Sequence, residues 1–246
     1  MLLRIACKRA VGLVKLPPSS PAPLGRCCVL AMASPLLNEP AGALVRIACG
    51  QSLWLDIGPF GPSAALEIVE GIGRLSCPCE QGDAMTIAFL QAGDQWQCQR
   101  SCIQAVCLEA LTPLVLRPLV PPVDTASSDL VQDWTLQLLR IRHLAKAEQR
   151  LHALLGLLVF RLGRRCGAWC DLPFRLSHDR LAELIGTTRV TTTRLMSQFR
   201  LAQLLEVPRQ GAWMRLAPAL VYSAPLAPLE GLPSHPFHSP YRTHGR

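Results

Sequence analysis

The chain has 246 residues, of which 50% are hydrophobic and 17% charged, a globular balance that excludes a chain disordered throughout. Its length allows one large domain or two small ones, each able to bury a core. The net charge of +8 suits a polyanionic partner, but charge alone does not separate nucleic acid from a ribosomal or membrane surface.

Residues 1–33 contain Arg4, Lys8, Arg9, Lys15 and Arg26 and no acid, with Pro17, Pro18, Pro21 and Pro23 opposing a helix. Two readings fit: an organellar or weak secretory leader, or an upstream extension with Met32 as the true start; the extension is preferred over Met1 as the start. From 42 to 120 the pattern is β. Val45/Ile47 and Leu53/Leu55 alternate around Gly50, Leu66, Ile68 and Leu75 follow with breaks at Gly71 and Gly73, and Glu80-Gln81-Gly82-Asp83 predicts a hairpin turn before Met85, Ile87 and Phe89. Short strands separated by turns imply a sandwich or roll.

Eleven cysteines do not form two separated Cys-x-x-Cys pairs, so most are expected to be buried small hydrophobes in a reducing cytosol. Cys77, Cys79, Cys98, Cys102 and Cys107 form the one cluster to weigh as a metal or iron–sulfur site, and it is set aside: no metal and no cofactor are expected.

Pro118, Pro121 and Pro122 end the β region. From Ser127 or Ser128, a natural helix cap, Leu130, Trp134, Leu138, Ile141 and Ala145 recur at spacings of three and four, either as core or as a dimer seam. A second helix is expected from Ala147 to Arg164, and 167–174 as a loop. Leu151–Leu162 is the most apolar stretch, but His152, Gly156 and Arg161 interrupt it; it reads as a core helix, and no membrane partner is expected. The residues from Ser223 to Arg246 read as a disordered tail, with His235, His238 and His244 solvated.

The most informative segment lies between. Ser177 caps a short helix with Leu181, Leu184 and Ile185 inward and a small Ala182 where a second helix must approach. Gly186 permits the sharp turn that follows. Thr187 or Thr188 caps the next helix, through Arg200, with Leu195, Met196 and Phe199 inward and Arg189, Thr193 and Arg194 outward. Such a second helix enters the major groove with its first turns leading, arginine suits the O6 and N7 acceptors of guanine, and threonines with the helix N-terminus hold phosphates. Leu204–Val207 and Trp213–Leu216 around Arg209-Gln210-Gly211 predict a wing hairpin.

Residues 176–216 resemble the DNA-binding domain of the Crp/Fnr family, and Gly186–Leu195 is similar to the recognition helix of its cyanobacterial nitrogen-control members. The resemblance implies base contacts from Arg189, Val190 and Arg194 and phosphate contacts from Thr188 and Thr191, with Thr193 also on the DNA side; Thr192 stands where the family usually buries Val. Upstream, Gly50–Leu53, Val69–Gly71 and Phe89–Asp94 look like the family's cyclic-nucleotide-binding-type β-roll. In cyclic-nucleotide-binding members a Gly-Glu pair and Arg-Ser follow the Gly-Asp pair; here only Gln95–Gln99 separate Gly93-Asp94 from Arg100-Ser101, and Gly-Glu is absent. Cyclic AMP is therefore expected to bind weakly or not at all, with Arg100 and Ser101 as candidates for a smaller anion or as surface residues.

The fold class expected is thus α+β: an extension over 1–41, expected to be disordered; a cyclic-nucleotide-binding-like β-roll over 42–122; a dimerisation helix over 123–146; a winged helix-turn-helix over 147–222; and a tail over 223–246. The expected function is a dimeric, cytoplasmic regulator bound to a palindromic double-stranded DNA operator, with degenerate or altered effector binding and RNA polymerase a candidate partner. A non-enzymatic adaptor acting through protein contacts is the alternative. No catalytic residues are expected, since no phosphate loop, nucleophile elbow or supported carboxylate pair is present.

Overall fold

Short runs of alternating apolar residues build the first part of the chain in the computed structural model, which describes residues 3–6, 43–56, 65–78, 84–97, 105–119, 126–208 and 213–226. The chain divides into two units, 1–134 and 135–246. The first holds β1 (Leu3–Ala6), β2 (Val45–Ile47), β3 (Ser52–Asp56), β4 (Ala65–Glu70), β5 (Ile72–Pro78), β6 (Ala84–Gln91), β7 (Gln95–Gln97), β8 (Ala105–Ala110) and β9 (Leu114–Leu119). They form two antiparallel sheets, ordered β1-β3-β8-β5-β6 and β2-β9-β4-β7. The first turns of helix α1 (Ala126–Arg142) belong to the same unit.

Register assigns two faces to the larger sheet. Leu53, Leu75, Leu90 and Leu108 share one face and are wholly buried. The other carries Arg74, Ser76, Thr86, Phe89, Cys107 and Glu109, and the Phe89 ring meets Trp134 of α1 at 5.1 Å between centroids. Arg74 is 1% exposed yet matched: its Nε donates to Glu109 Oε2 at 2.9 Å and its Nη1 to Thr86 Oγ1 at 2.6 Å. The β4–β5 turn needs glycine, because at Gly71 φ is +90° and an added Cβ would lie 2.1 Å from the Pro113 carbonyl oxygen.

The second unit contains the end of α1, α2 (Ala147–Leu162), β10 (Arg164–Cys166), β11 (Trp169–Leu172), α3 (His178–Ile185), α4 (Arg189–Leu201), β12 (Leu205–Glu206), β13 (Met214–Leu216) and α5 (Pro218–Tyr222). Its strands form a sheet ordered β10-β11-β13-β12. The apolar stretch over 151–162 is a core helix as expected, with Leu151, Leu154, Leu155 and Leu158 fully buried.

Several sequence expectations are corrected. The segment 167–174 is not all loop: β11 lies within it, its Cys170 and Leu172 buried in alternation while Trp169 and Asp171 are half-exposed. That period-2 pattern is short and follows a turn at Gly167, φ +58°, so it hides inside a loop-like composition. Helix α2 stops at Leu162 because Gly163 is extended, and Arg164 opens β10. Within the extension expected to be disordered, Leu3–Ala6 is a strand bonded to the edge of β3; residues 7–42 lie outside the described residues, as does the tail from 227. Of the two readings of the α1 stripe, core or dimer seam, burial within the chain favours core for Trp134 and Leu138; Leu136 and Leu139 are exposed. The hairpin turn expected at 80–83 lies outside the described residues, as do Cys79, Cys98 and Cys102; Cys77 and Cys107 are buried.

Glu109→Ala should lower the unfolding free energy by about 3 kcal/mol, because it leaves a buried guanidinium without its carboxylate. Urea denaturation measures this, and the double variant Arg74→Met/Glu109→Leu should recover most of the loss.

Candidate nucleic-acid interface

Helix α3 begins where Ser177 Oγ accepts the Arg180 amide at 3.2 Å, the side-chain cap that its sequence predicts. Leu181, Ala182, Leu184 and Ile185 face inward. The helix ends at Gly186, left-handed at φ 60° and ψ 53°, and the Thr187 amide donates to the Ala182 carbonyl at 2.9 Å. Two arginines reach this end from other helices. Arg142 of α1 donates to the carbonyls of Glu183 and Leu184, and Arg150 of α2 donates to the Gly186 carbonyl at 3.2 Å. Their charges meet the negative end of α3, where cations are favourable.

Helix α4 starts at Thr188, whose Oγ1 accepts the Thr191 amide at 3.2 Å. Its inner face is Thr192, Leu195, Met196 and Phe199. Thr192 is fully buried, and its hydroxyl has no hydrogen-bond partner among the described residues, a polar group in an apolar seat. The opposite stripe carries Val190, Thr193, Arg194 and Ser197, all exposed, with Arg189 and Thr191 flanking it.

All six residues expected at the interface thus occupy the start of α4 or its cap, but they are not equivalent. Val190 is 79% exposed. Arg189 sits 3.6 Å from Asp179, both side chains in solvent, so the pair is weak. Arg194 has no carboxylate partner among the described residues. The Thr191 hydroxyl lies 3.0 Å from that of Thr188, and Thr193 Oγ1 lies 2.8 Å from His178 Nδ1. Arg100, Ser101 and the wing tip 209–212 lie outside the described residues; the wing strands β12 and β13 pair as expected, Leu205 with Leu216 and Glu206 with Arg215.

Sequence reasoning missed His178. Burial, then the charges of Arg200, Arg175 and Arg189, hold its imidazole below the ordinary value, with Asp179 opposing weakly. The signal was a histidine at the first helical position, fifteen residues before Thr193, and only the crossing of α3 and α4 brings the two together.

Residues 45–131 match the cyanobacterial CRP family N-terminal domain, and 149–218 the Crp-like helix-turn-helix domain. The regulatory protein CysR of Synechococcus elongatus is 34% identical over 149 residues, 58% of this chain and 72% of that protein. The chain belongs to the Crp/Fnr family. A CRP/FNR-family transcriptional regulator from Thermus thermophilus aligns with 74% of this Crp/Fnr chain and 100% of its own at a TM-score of 0.54 and 18% identity. FixK2 of Bradyrhizobium japonicum aligns with 76% and 98% at 0.56 and 15% identity. These structures share the fold, a nucleotide-binding-type β-roll followed by a helix-turn-helix. The Crp/Fnr chain is accordingly a DNA-binding transcription regulator. Among the described residues, no helix is long and apolar enough to cross a membrane.

Because the folded-state pKa of His178 is lowered, the unfolded chain binds more protons as pH falls. The stability this group confers is fully present above the ordinary value near 6.5 and is lost as pH drops through the folded-state value. Urea midpoints from about pH 8 to about pH 5 should fall less steeply in His178→Gln than in the unsubstituted protein.

Proposed function

We propose that this Crp/Fnr regulator is a cytoplasmic, non-enzymatic homodimer that reads a palindromic double-stranded DNA operator with the outer face of α4. The observation that carries the reading is the exposed stripe of Val190, Thr193 and Arg194 on a helix whose opposite face is locked by Leu195, Met196 and Phe199. A rigid helix that leads with its N-terminus can present those side chains to base edges while Thr188, Thr191 and the free amides of its first turn face phosphate. Arg194 is the base reader that needs no rearrangement. Arg189 must first leave Asp179, a small cost for an exposed pair.

The dimer reading moves to another face of α1 from the one the sequence stripe suggested. Gln132, Leu136 and Leu139 recur at spacings of four and three and are exposed, the spacing of a coiled-coil seam. The organisation follows: a β-roll over 42–122, a dimerisation helix over 123–146 and a winged helix-turn-helix over 147–222. Effector binding is altered or degenerate, because the short segment Gln95–Gln99 and the missing Gly-Glu pair leave a cyclic nucleotide's sugar without its carboxylate. Arg100 and Ser101 would then meet a smaller anion.

Operator sequences selected from random DNA supply the test. At one fixed salt concentration, Arg194→Ala should cost about 1–3 kcal/mol on the selected site and less on random DNA. Thr191→Ala should weaken both by a similar, smaller amount, since a phosphate contact carries no base information. Equal losses for Arg194→Ala on cognate and random DNA would make that arginine a backbone clamp and the register wrong.

Leu139→Glu, which leaves the buried Trp134 and Leu138 untouched, should shift the protein from dimer to monomer by light scattering at micromolar concentration. A monomer before substitution would refute the dimer, and a dimer that survives Leu136→Glu/Leu139→Glu would place the seam elsewhere.

A further inference from the structure

Helices α3 and α4 cross where His178, the first residue of α3, meets Thr193 on the outer stripe of α4. The imidazole Nδ1 and the Thr193 hydroxyl oxygen lie 2.8 Å apart, and Thr193 is exposed. One turn further along, Ser197 Oγ donates to the Thr193 carbonyl at 2.9 Å, so the serine proton is spent on the helix backbone. Thr193 makes no equivalent bond to the Arg189 carbonyl among the described residues; its hydroxyl is turned to the imidazole instead.

The far side of the ring decides which of the two groups donates. Burial, then the charges of Arg200, Arg175 and Arg189, with Asp179 opposing, leave the imidazole with one proton at neutral pH. His178 Nε2 is buried and has no hydrogen-bond partner among the described residues. A proton there would be a buried donor without an acceptor, and buried N–H groups are orphaned more rarely than acceptors are. The single proton therefore sits on Nδ1, which donates to Thr193 Oγ1. The threonine's own proton is left for another acceptor.

We propose that His178 is a positioning residue that makes Thr193 a fixed hydrogen-bond donor to the DNA. The inference rests on the reading of α4 given above, in which Thr193 lies on the DNA side. With one lone pair held by the imidazole N–H and its rotamer fixed from α3, the hydroxyl presents its proton outward. DNA supplies a matching acceptor in two places: a major-groove base edge, such as purine N7 or thymine O4, or a phosphate oxygen. The amino groups of cytosine and adenine are themselves donors and do not match.

The test uses the full-length chain and its selected operator. Imidazole nitrogen NMR at neutral pH should find the His178 proton on Nδ1 and a bare Nε2; the reverse would overturn the proposal. Thr193→Val should weaken operator binding about fivefold, the equivalent of one neutral hydrogen bond, and Thr193→Ser should retain most of the affinity. In the His178→Phe background, with folding verified by circular dichroism, Thr193→Val should cost less than about twofold. An undiminished cost there would also overturn the proposal. Operators carrying a base that lacks one major-groove acceptor, or a methylphosphonate linkage, locate the partner: at one position the unsubstituted protein should lose affinity and Thr193→Val should not. The proposal fails where no such position exists. If Arg194→Ala loses the operator preference while Thr193→Val costs nothing, this inference falls and the reading of α4 stands; if neither variant changes binding, both fall.

Discussion

The placing of α4 against α3 depends on one turn of backbone. Between α3 and α4 the chain must reverse within three residues, and it does so through a left-handed glycine, Gly186, that a side chain would strain. The turn is not left to itself. Arg142 from α1 and Arg150 from α2 donate to the three carbonyls that end α3, groups that a helix terminus leaves unmatched. Three helices, α1, α2 and α3, therefore converge on a few backbone oxygens. The angle of α4, and with it the direction of Val190, Thr193 and Arg194, is fixed by these bonds and by the apolar contact beneath Leu195, Met196 and Phe199.

A similar economy holds in the first unit. Arg74 is an expensive group to bury, yet it is bonded to Thr86 on one neighbouring strand and Glu109 on the other. A one-residue slip of β5 would turn this guanidinium into the leucine core and bring Leu75 to the other face. The ion pair thus selects register across three strands, a role that does not require it to add net stability. Above it, the contact of Phe89 with Trp134 anchors the start of α1 to the same face.

The sequence was most legible where one local rule decides the structure. Ser177 and Gly186 are a cap and a left-handed turn and occur as read, and Thr188 is the cap of the two, Thr187 or Thr188, that the sequence offered. In the first unit β2 to β6 were legible through their apolar patterns, whereas β1, β7, β8 and β9 were not read as separate strands. Other features needed tertiary information. Strand β11 is four residues long, and its alternation becomes meaningful only beside β10 and β13, which supply its ladder. The stripe of Trp134, Leu138 and Ile141 was correctly apolar, but periodicity states that a face is buried and not what buries it; the chain's own body covers it, and Leu136 and Leu139 are left outside. Arg142, Arg150 and His178 were invisible because their partners are 41, 36 and 15 residues away.

The charge distribution around α3 and α4 gives the proposed interface its direction. Burial first, then the charges of Arg200, Arg175 and Arg189, lowers the pKa of His178, against the opposing carboxylate of Asp179. Cations crowded on one face repel one another, so this surface is less stable alone than with a polyanion laid across it. Phosphates would relieve that repulsion without regard to sequence, which supplies affinity and steep salt dependence but no selectivity. Selectivity has to come from groups that phosphates do not already satisfy. Arg189 is partly occupied by Asp179 and Thr193 by His178, whereas Arg194 stands on the outer stripe with neither. On the proposed reading the crowded arginines therefore set how tightly DNA is held, and Arg194 with its neighbour Val190 sets which DNA it is.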